Sequence, residues 1–186
     1  MNNKKLELAT IGGGCFWCIE AIFQEVNGVE KVISGYTGGN VPGTPTYREV
    51  CSGLTGHAEV VQVTFDATII SYKDLLVIFM TSHDPTSLNR QGGDAGTQYR
   101  SVIYYHNDKQ KEIAEAVAKE IAPYYERLIV TEISLLGKFF EAEKYHQDYY
   151  ANNQSQGYCT AVITPKLSKL RKMHANKLKN IKLKTE

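Results

Sequence analysis

Cys15 and Cys18 stand three residues apart in the stretch GGGCFWCIE, directly behind three consecutive glycines. A thiol at the first turn of a helix feels unpaired backbone N–H groups and the positive end of the helix dipole, which favour the thiolate. Cys15 is therefore a candidate nucleophile. The Cys-x-x-Cys spacing also suits a redox pair or half of a metal site. The bulky Phe16-Trp17 insert is unusual for a metal knuckle, and neither Cys51 nor Cys159 belongs to a second pair. A zinc site would have to recruit Cys51, Cys159, His57 or His146. A small apolar residue buried beside a tight turn is the plainest alternative. Phe16 and Trp17 suit either an apolar wall for an uncharged group or ordinary core packing. A dinucleotide fingerprint is only faintly echoed, because Gly12 and Gly14 are followed by Trp17 where a third glycine belongs.

Other candidates lie further along. His57 and Glu59 bracket Ala58 at the start of an expected strand, so their side chains share a face. A carboxyl group in an apolar pocket keeps its proton near neutral pH and serves as a general acid; at a solvated edge it would do nothing of the kind. Tyr47, Asp94 and Tyr99 could surround an oxygen that gains charge. Cys159, in SQGYCTA, follows a glycine, and a cysteine on a movable loop can travel to another sulfur. No Ser-His-Asp elbow, phosphate loop or aromatic-basic nucleic-acid surface is evident.

The elements that must position these groups alternate. Strands are predicted at 6–11, 29–36, 58–66, 99–106 and 127–133. Helices are predicted at 16–26, 72–83 and from Asp108, as cap, to Pro123, with Ile113, Ala116, Val117 and Ile121 on one face. Two polar, glycine-bearing loops, 38–56 and 84–98, are long enough to have a use and could converge on Cys15. Short helical turns are expected over 139–150. A helix starts at Pro165, with Leu167, Leu170 and His174 near one face. The order implies an α+β fold of two layers, a mixed β-sheet with packed helices, and an irregular C-terminal segment ending in a helix.

The 186 residues fit one domain that buries roughly 70% of its unfolded surface. The net charge of +1 gives no general pull toward nucleic acid or anionic lipid. Eight Lys or Arg against one acid from Lys166 onward make the C-terminal helix basic, which a solvated face accommodates without a partner. The longest strongly apolar run, LLVIFM, is too short to cross a bilayer. A cytoplasmic location is the default expectation. Four cysteines in a chain of this length are not a secreted disulfide scaffold.

GCFWC at 14–18 resembles the signature of the peptide methionine sulfoxide reductases of the A type. Further matches follow in order: GYTGG at 35–39, PTYREVCSGLTGHAEVVQVTFD at 45–66, HDPTSLNRQGGDAGTQYRS at 83–101 and AEKYHQDY at 142–149. The resemblance implies reduction of the S epimer of methionine sulfoxide, free or in proteins, as a repair of oxidative damage. It implies Cys15 as nucleophile, Glu59 as acid, Tyr47, Asp94 and Tyr99 as the oxygen-binding network, and Phe16 and Trp17 as holders of the substrate methyl group. Cys159 matches a recycling cysteine that forms a disulfide with Cys15 after a sulfenic acid intermediate, to be reduced by a thioredoxin-like partner. Cys18 is a second candidate for recycling, and Cys51 lies outside the redox cycle. The implied protein is a single catalytic domain over 1–186, a monomer, with a flexible recycling segment at 151–164 and a basic helix at 165–182. No cofactor, metal, nucleic acid or membrane is expected. The rivals are a small zinc-binding interaction domain and a generic disulfide reductase.

Overall fold

The computed structural model describes residues 4–179. Its first half runs β1 (Leu6–Gly12), α1 (Phe16–Gln24), β2 (Val29–Thr37), α2 (Tyr47–Cys51), β3 (Ala58–Asp66) and α3 (Tyr72–Ser82). Two-residue strands β4 (Arg90–Gln91) and β5 (Asp94–Ala95) then pair with each other. The second half runs β6 (Val102–Tyr105), α4 (Asp108–Ile121), β7 (Glu132–Leu135), β8 (Phe140–Glu141), α5 (Tyr149–Asn152) and α6 (Thr164–Met173). Six strands form one sheet in the order β7-β6-β1-β3-β2-β8. Only β6 and β7 are parallel; the other neighbours are antiparallel. This is the α+β fold with a mixed sheet and packed helices that the sequence implies.

Alternation along β3 divides the interior. Val61, Val63 and Phe65 join the main core with α1 and α3, whereas Ala58 and Val60 meet Val102 and Tyr104 in a smaller cluster. Glu59 has the parity of the main-core residues, so the pleat turns it toward α1. Helix α1 is buried around most of its circumference, at Phe16, Cys18, Ile19, Glu20, Ala21, Ile22 and Phe23. It lies between β2 and β3 on one side and α5 and α6 on the other, and a helix enclosed in this way is apolar nearly all round.

Several expectations are corrected. The 38–56 loop contains α2, nucleated by a capping box in which Thr46 accepts from the Glu49 N–H and Glu49 returns the bond to Thr46. The strand expected at 127–133 begins only at Glu132, opposite Val102; before it, Val130 N–H donates to the Pro85 carbonyl instead of a ladder. The strand expected at 99–106 is confined to Val102–Tyr105, with a 3₁₀ turn at Thr97–Tyr99. Asn107, not Asp108, caps α4, and Ala114 rather than Ala116 completes its buried stripe. Segment 139–150 includes β8 besides its helical turns. The C-terminal helix ends at Met173 and a 3₁₀ turn at Ala175–Lys177 follows, with Leu167 and Leu170 buried as expected. Positions 180–182 of the expected helix lie outside the described residues.

Candidate active site

The three glycines make the turn from β1 into α1. Gly14 has φ +85°, and a Cβ there would lie 2.8 Å from Gln91. A Cβ on Gly12 would lie 2.5 Å from the Glu59 carbonyl oxygen. A larger residue at Gly14 would push Gln91 away, and one at Gly12 would push against the Glu59 backbone. Gly14 N–H donates to the Tyr99 carbonyl at 3.0 Å. Both glycine-bearing loops converge here, one delivering Gln91 and Asp94 and leading into the 3₁₀ turn that carries Tyr99, the other delivering Tyr47.

Cys15 occupies the N-cap of α1 with extended backbone, and its residue is 8% exposed. Burial pushes its thiol well above the ordinary value, with a hydrogen bond to Cys18 and the charge of Glu59 acting in the same sense. The Trp17 N–H lowers it, as a helix start should, but is outweighed. The lowered pKa expected at Cys15 therefore belongs to its neighbour. Cys18 is brought down to about 7, first by the Cys15 hydrogen bond and then, against its own burial, by Lys166 and the Tyr158 hydroxyl. The two thiols thus act on each other in opposite senses, Cys15 held protonated and Cys18 ionised more readily.

Glu59 is 1% exposed, and its Oε2 accepts the Phe16 N–H at 3.1 Å. That bond places the carboxyl group at the mouth of α1, beside the thiol. Desolvation raises it to about 8, so it carries a proton at neutral pH; the charges of Asp94 and Cys18 add to the effect. Burial also raises Tyr47 and Tyr99, so both phenols remain protonated donors, and Glu59 lies close enough to influence each of them. Cys51 lies beside the Tyr47 hydroxyl and raises it further. The Tyr158 hydroxyl donates to Asp94 Oδ2 at 2.7 Å, and its own oxygen lies 3.6 Å from Cys18 Sγ.

Phe16 and Trp17 face an aromatic group. His146 lies 5.1 Å from Phe16 and 4.4 Å from Tyr47 by ring centroid, and Trp17 stacks on Tyr149 at 3.6 Å and 5°. The indole N–H donates to His146 Nδ1 at 3.0 Å. The imidazole proton therefore sits on Nε2, which is buried without a partner. Burial keeps this ring neutral by lowering its pKa. Tyr149 and Tyr158 carry no role in the sequence reading, and His146 enters it only as a conceivable zinc ligand; His146 and Tyr149 fall within AEKYHQDY, and Tyr158 directly precedes Cys159.

His57 does not join the thiol. Its ring packs edge-on against Phe140 and faces a separate cleft with Gly39 and Lys138. Cys159 is fully buried and opens a five-residue π-helical turn, Cys159–Ile163; the loop position expected from sequence is helical. It lies near enough to Cys18 for the two charges to interact. All four cysteines are free thiols. Among the described residues, no three His, Cys, Asp or Glu side chains are grouped to hold a metal ion.

A family model described as peptide methionine sulfoxide reductase matches residues 7–179. The peptide methionine sulfoxide reductase MsrA of Saccharolobus solfataricus is 52% identical over 174 residues, covering 94% of this chain and 98% of the relative. That of Natronomonas pharaonis is 54% identical over 172 residues, covering 91% and 96%. Among solved structures, the reduced form of Mxr1 from Saccharomyces cerevisiae superposes with a TM-score of 0.77 at 32% identity, covering 86% of this chain and 91% of that one. Methionine sulfoxide reductase A of Corynebacterium diphtheriae gives 0.73 at 40% identity, covering 84% and 78%.

Proposed function

The chain belongs to the peptide methionine sulfoxide reductase family and reduces methionine sulfoxide to methionine, and from that premise we propose that it acts on the S epimer through a Cys15 sulfenic acid. The observation that carries this reading is the buried, protonated Glu59 held by the Phe16 N–H beside the Cys15 thiol. Sulfoxide oxygen leaves poorly unless it is protonated, and Glu59 holds the proton where that oxygen arrives. Tyr47 and Tyr99 donate to the same oxygen, while Phe16 and Trp17 receive the methyl group. With methyl and oxygen held in different environments, only one epimer directs its sulfur at Cys15.

In the first step Cys15 attacks the sulfoxide sulfur, its proton passes to the Cys18 thiolate, and Glu59 protonates the oxygen. The oxygen transfers to Cys15, giving a sulfenic acid, free methionine side chain, a Cys18 thiol and an ionised Glu59. In the second step Cys18 condenses with the sulfenic acid; its proton leaves with the hydroxyl as water and a Cys15–Cys18 disulfide remains. Cys159 then attacks Cys18, releasing Cys15. The resulting Cys18–Cys159 disulfide is reduced by a thioredoxin-like dithiol through exchange. The closeness of Cys15 to Cys18 and of Cys159 to Cys18 supports this order.

A stereospecific assay with mass mapping of oxidised cysteines tests the proposal. Faster reduction of the S epimer is expected, with Cys15–Cys18 appearing before Cys18–Cys159. Preference for the R epimer would overturn the pocket assignment, and a Cys15–Cys159 bridge as first product would remove Cys18 from the relay.

A further inference from the structure

Helix α1 carries a second buried carboxyl group that the chemistry above does not use. Glu20 lies one turn beyond Phe16 and is 1% exposed. Its Oε1 accepts the Asp148 N–H at 3.0 Å and its Oε2 accepts the Tyr149 N–H at 3.2 Å. One turn further along the same face, Gln24 Nε2 donates to Asp148 Oδ1 at 2.7 Å. Asp148 is a non-glycine residue at φ 52°, a left-handed conformation that persists only where its surroundings hold it. The segment thus fixed carries Tyr149, stacked on Trp17, and His146, which accepts the indole N–H.

We infer that Glu20 is a positioning residue that clamps segment 146–149 against Trp17 and so shapes the apolar wall receiving the methyl end of the sulfoxide. The inference rests on the reading of Phe16 and Trp17 as that wall. Two backbone N–H groups converge on two oxygens, an arrangement an ionised carboxylate satisfies fully. An amide of the same shape offers one acceptor and turns an NH₂ toward the other N–H. Burial raises Glu20 to about 7, opposed by these two N–H bonds. The Ser34 hydroxyl beside it is otherwise without a partner.

Trp17 is the single tryptophan of the chain, so tryptophan emission reports on the surroundings of this one ring, which Tyr149 and His146 form in part. In Glu20→Gln, a shifted emission spectrum is expected, together with a KM for an S-sulfoxide peptide raised about tenfold, the weight of one charge-assisted hydrogen bond. Methionine release at saturating substrate should stay within about twofold of the parent, because no reacting atom is touched. A folded Glu20→Gln protein with unchanged emission and unchanged KM would overturn the inference, as would a collapse of the saturated rate with KM intact. Amide exchange in the unaltered protein tests it without a variant: the Asp148 and Tyr149 amides should exchange as slowly as those of the core, and rapid exchange would overturn the clamp. Were the unaltered protein inactive on methionine sulfoxide, the proposed function would fall, while emission and exchange would still judge the clamp.

Discussion

Glu59 and Glu20 are both carboxyl groups buried against α1, one at its mouth and one a turn inside, and they differ in how many N–H groups they meet. Glu59 receives one, from Phe16, and faces the charges of Asp94 and Cys18; its proton stays on to about 8. Glu20 receives two, from Asp148 and Tyr149, and stands at about 7. Each N–H donor stabilises the charged form against the cost of burial, and at Glu59 the charges of Asp94 and Cys18 add to that cost. Glu59, tied at one oxygen beside the thiol, is an acid with a proton to give, and Glu20, tied at both oxygens, is an anchor. The same helix thus carries the chemistry at one end and holds its wall at the other.

The largest effect bears on the mouth alone. Cys15→Ser should reduce methionine release by about 10³-fold or more, since a hydroxyl is a far weaker nucleophile than a thiol; substantial turnover in that variant would remove Cys15 as the attacker. Next, Glu59→Gln should slow single-turnover release by about 10²-fold, well beyond any effect of Glu20→Gln on the saturated rate. Equal effects on that rate would erase the distinction between acid and anchor. Cys159→Ser should still release about one methionine per enzyme but lose roughly tenfold or more in thioredoxin-driven cycling, and full cycling would confine recycling to Cys15 and Cys18.

The smallest effect is on stability. The folded value of Glu59 lies above its ordinary 4.5, so the native protein holds more protons than the unfolded chain between 4.5 and about 8. The stability this group contributes is present below that window and is lost as pH rises through it. At pH 9, Glu59→Gln should therefore melt a few degrees above the parent in a thermal scan, although its activity is lower. A lower melting temperature would mean that the carboxyl group is a structural tie like Glu20.

Much of this end of the molecule was legible from residue types and order. Glycines before Cys15 announced the turn, and the alternation of AEVVQVTFD put Glu59 on the face of Val61 and Val63, where α1 packs. Glu20 was equally visible as the one acid within FWCIEAIF, but a helical stripe gives no reason for a buried charge until its partners at 148 and 149 are known, and those are remote in sequence. The lowered thiol falls on Cys18 instead of Cys15 for a similar reason: the helix start acts locally, whereas burial and Lys166 arrive from the fold. The capping box of Thr46 and Glu49 was a local signal hidden by the glycines and prolines around it. RLIVT looked like a strand because apolar β-branched residues suit a sheet, yet Val130 binds Pro85 instead of a neighbouring strand.

The central claim, that a proton held on Glu59 drives attack by Cys15, is tested most directly by single-turnover methionine release from an S-sulfoxide peptide across pH 6 to 10 in the parent and in Glu59→Gln. The parent rate should fall as pH rises past about 8, and the variant should be slow with that fall abolished. A variant as fast as the parent, or one that keeps the same alkaline fall, would contradict the claim.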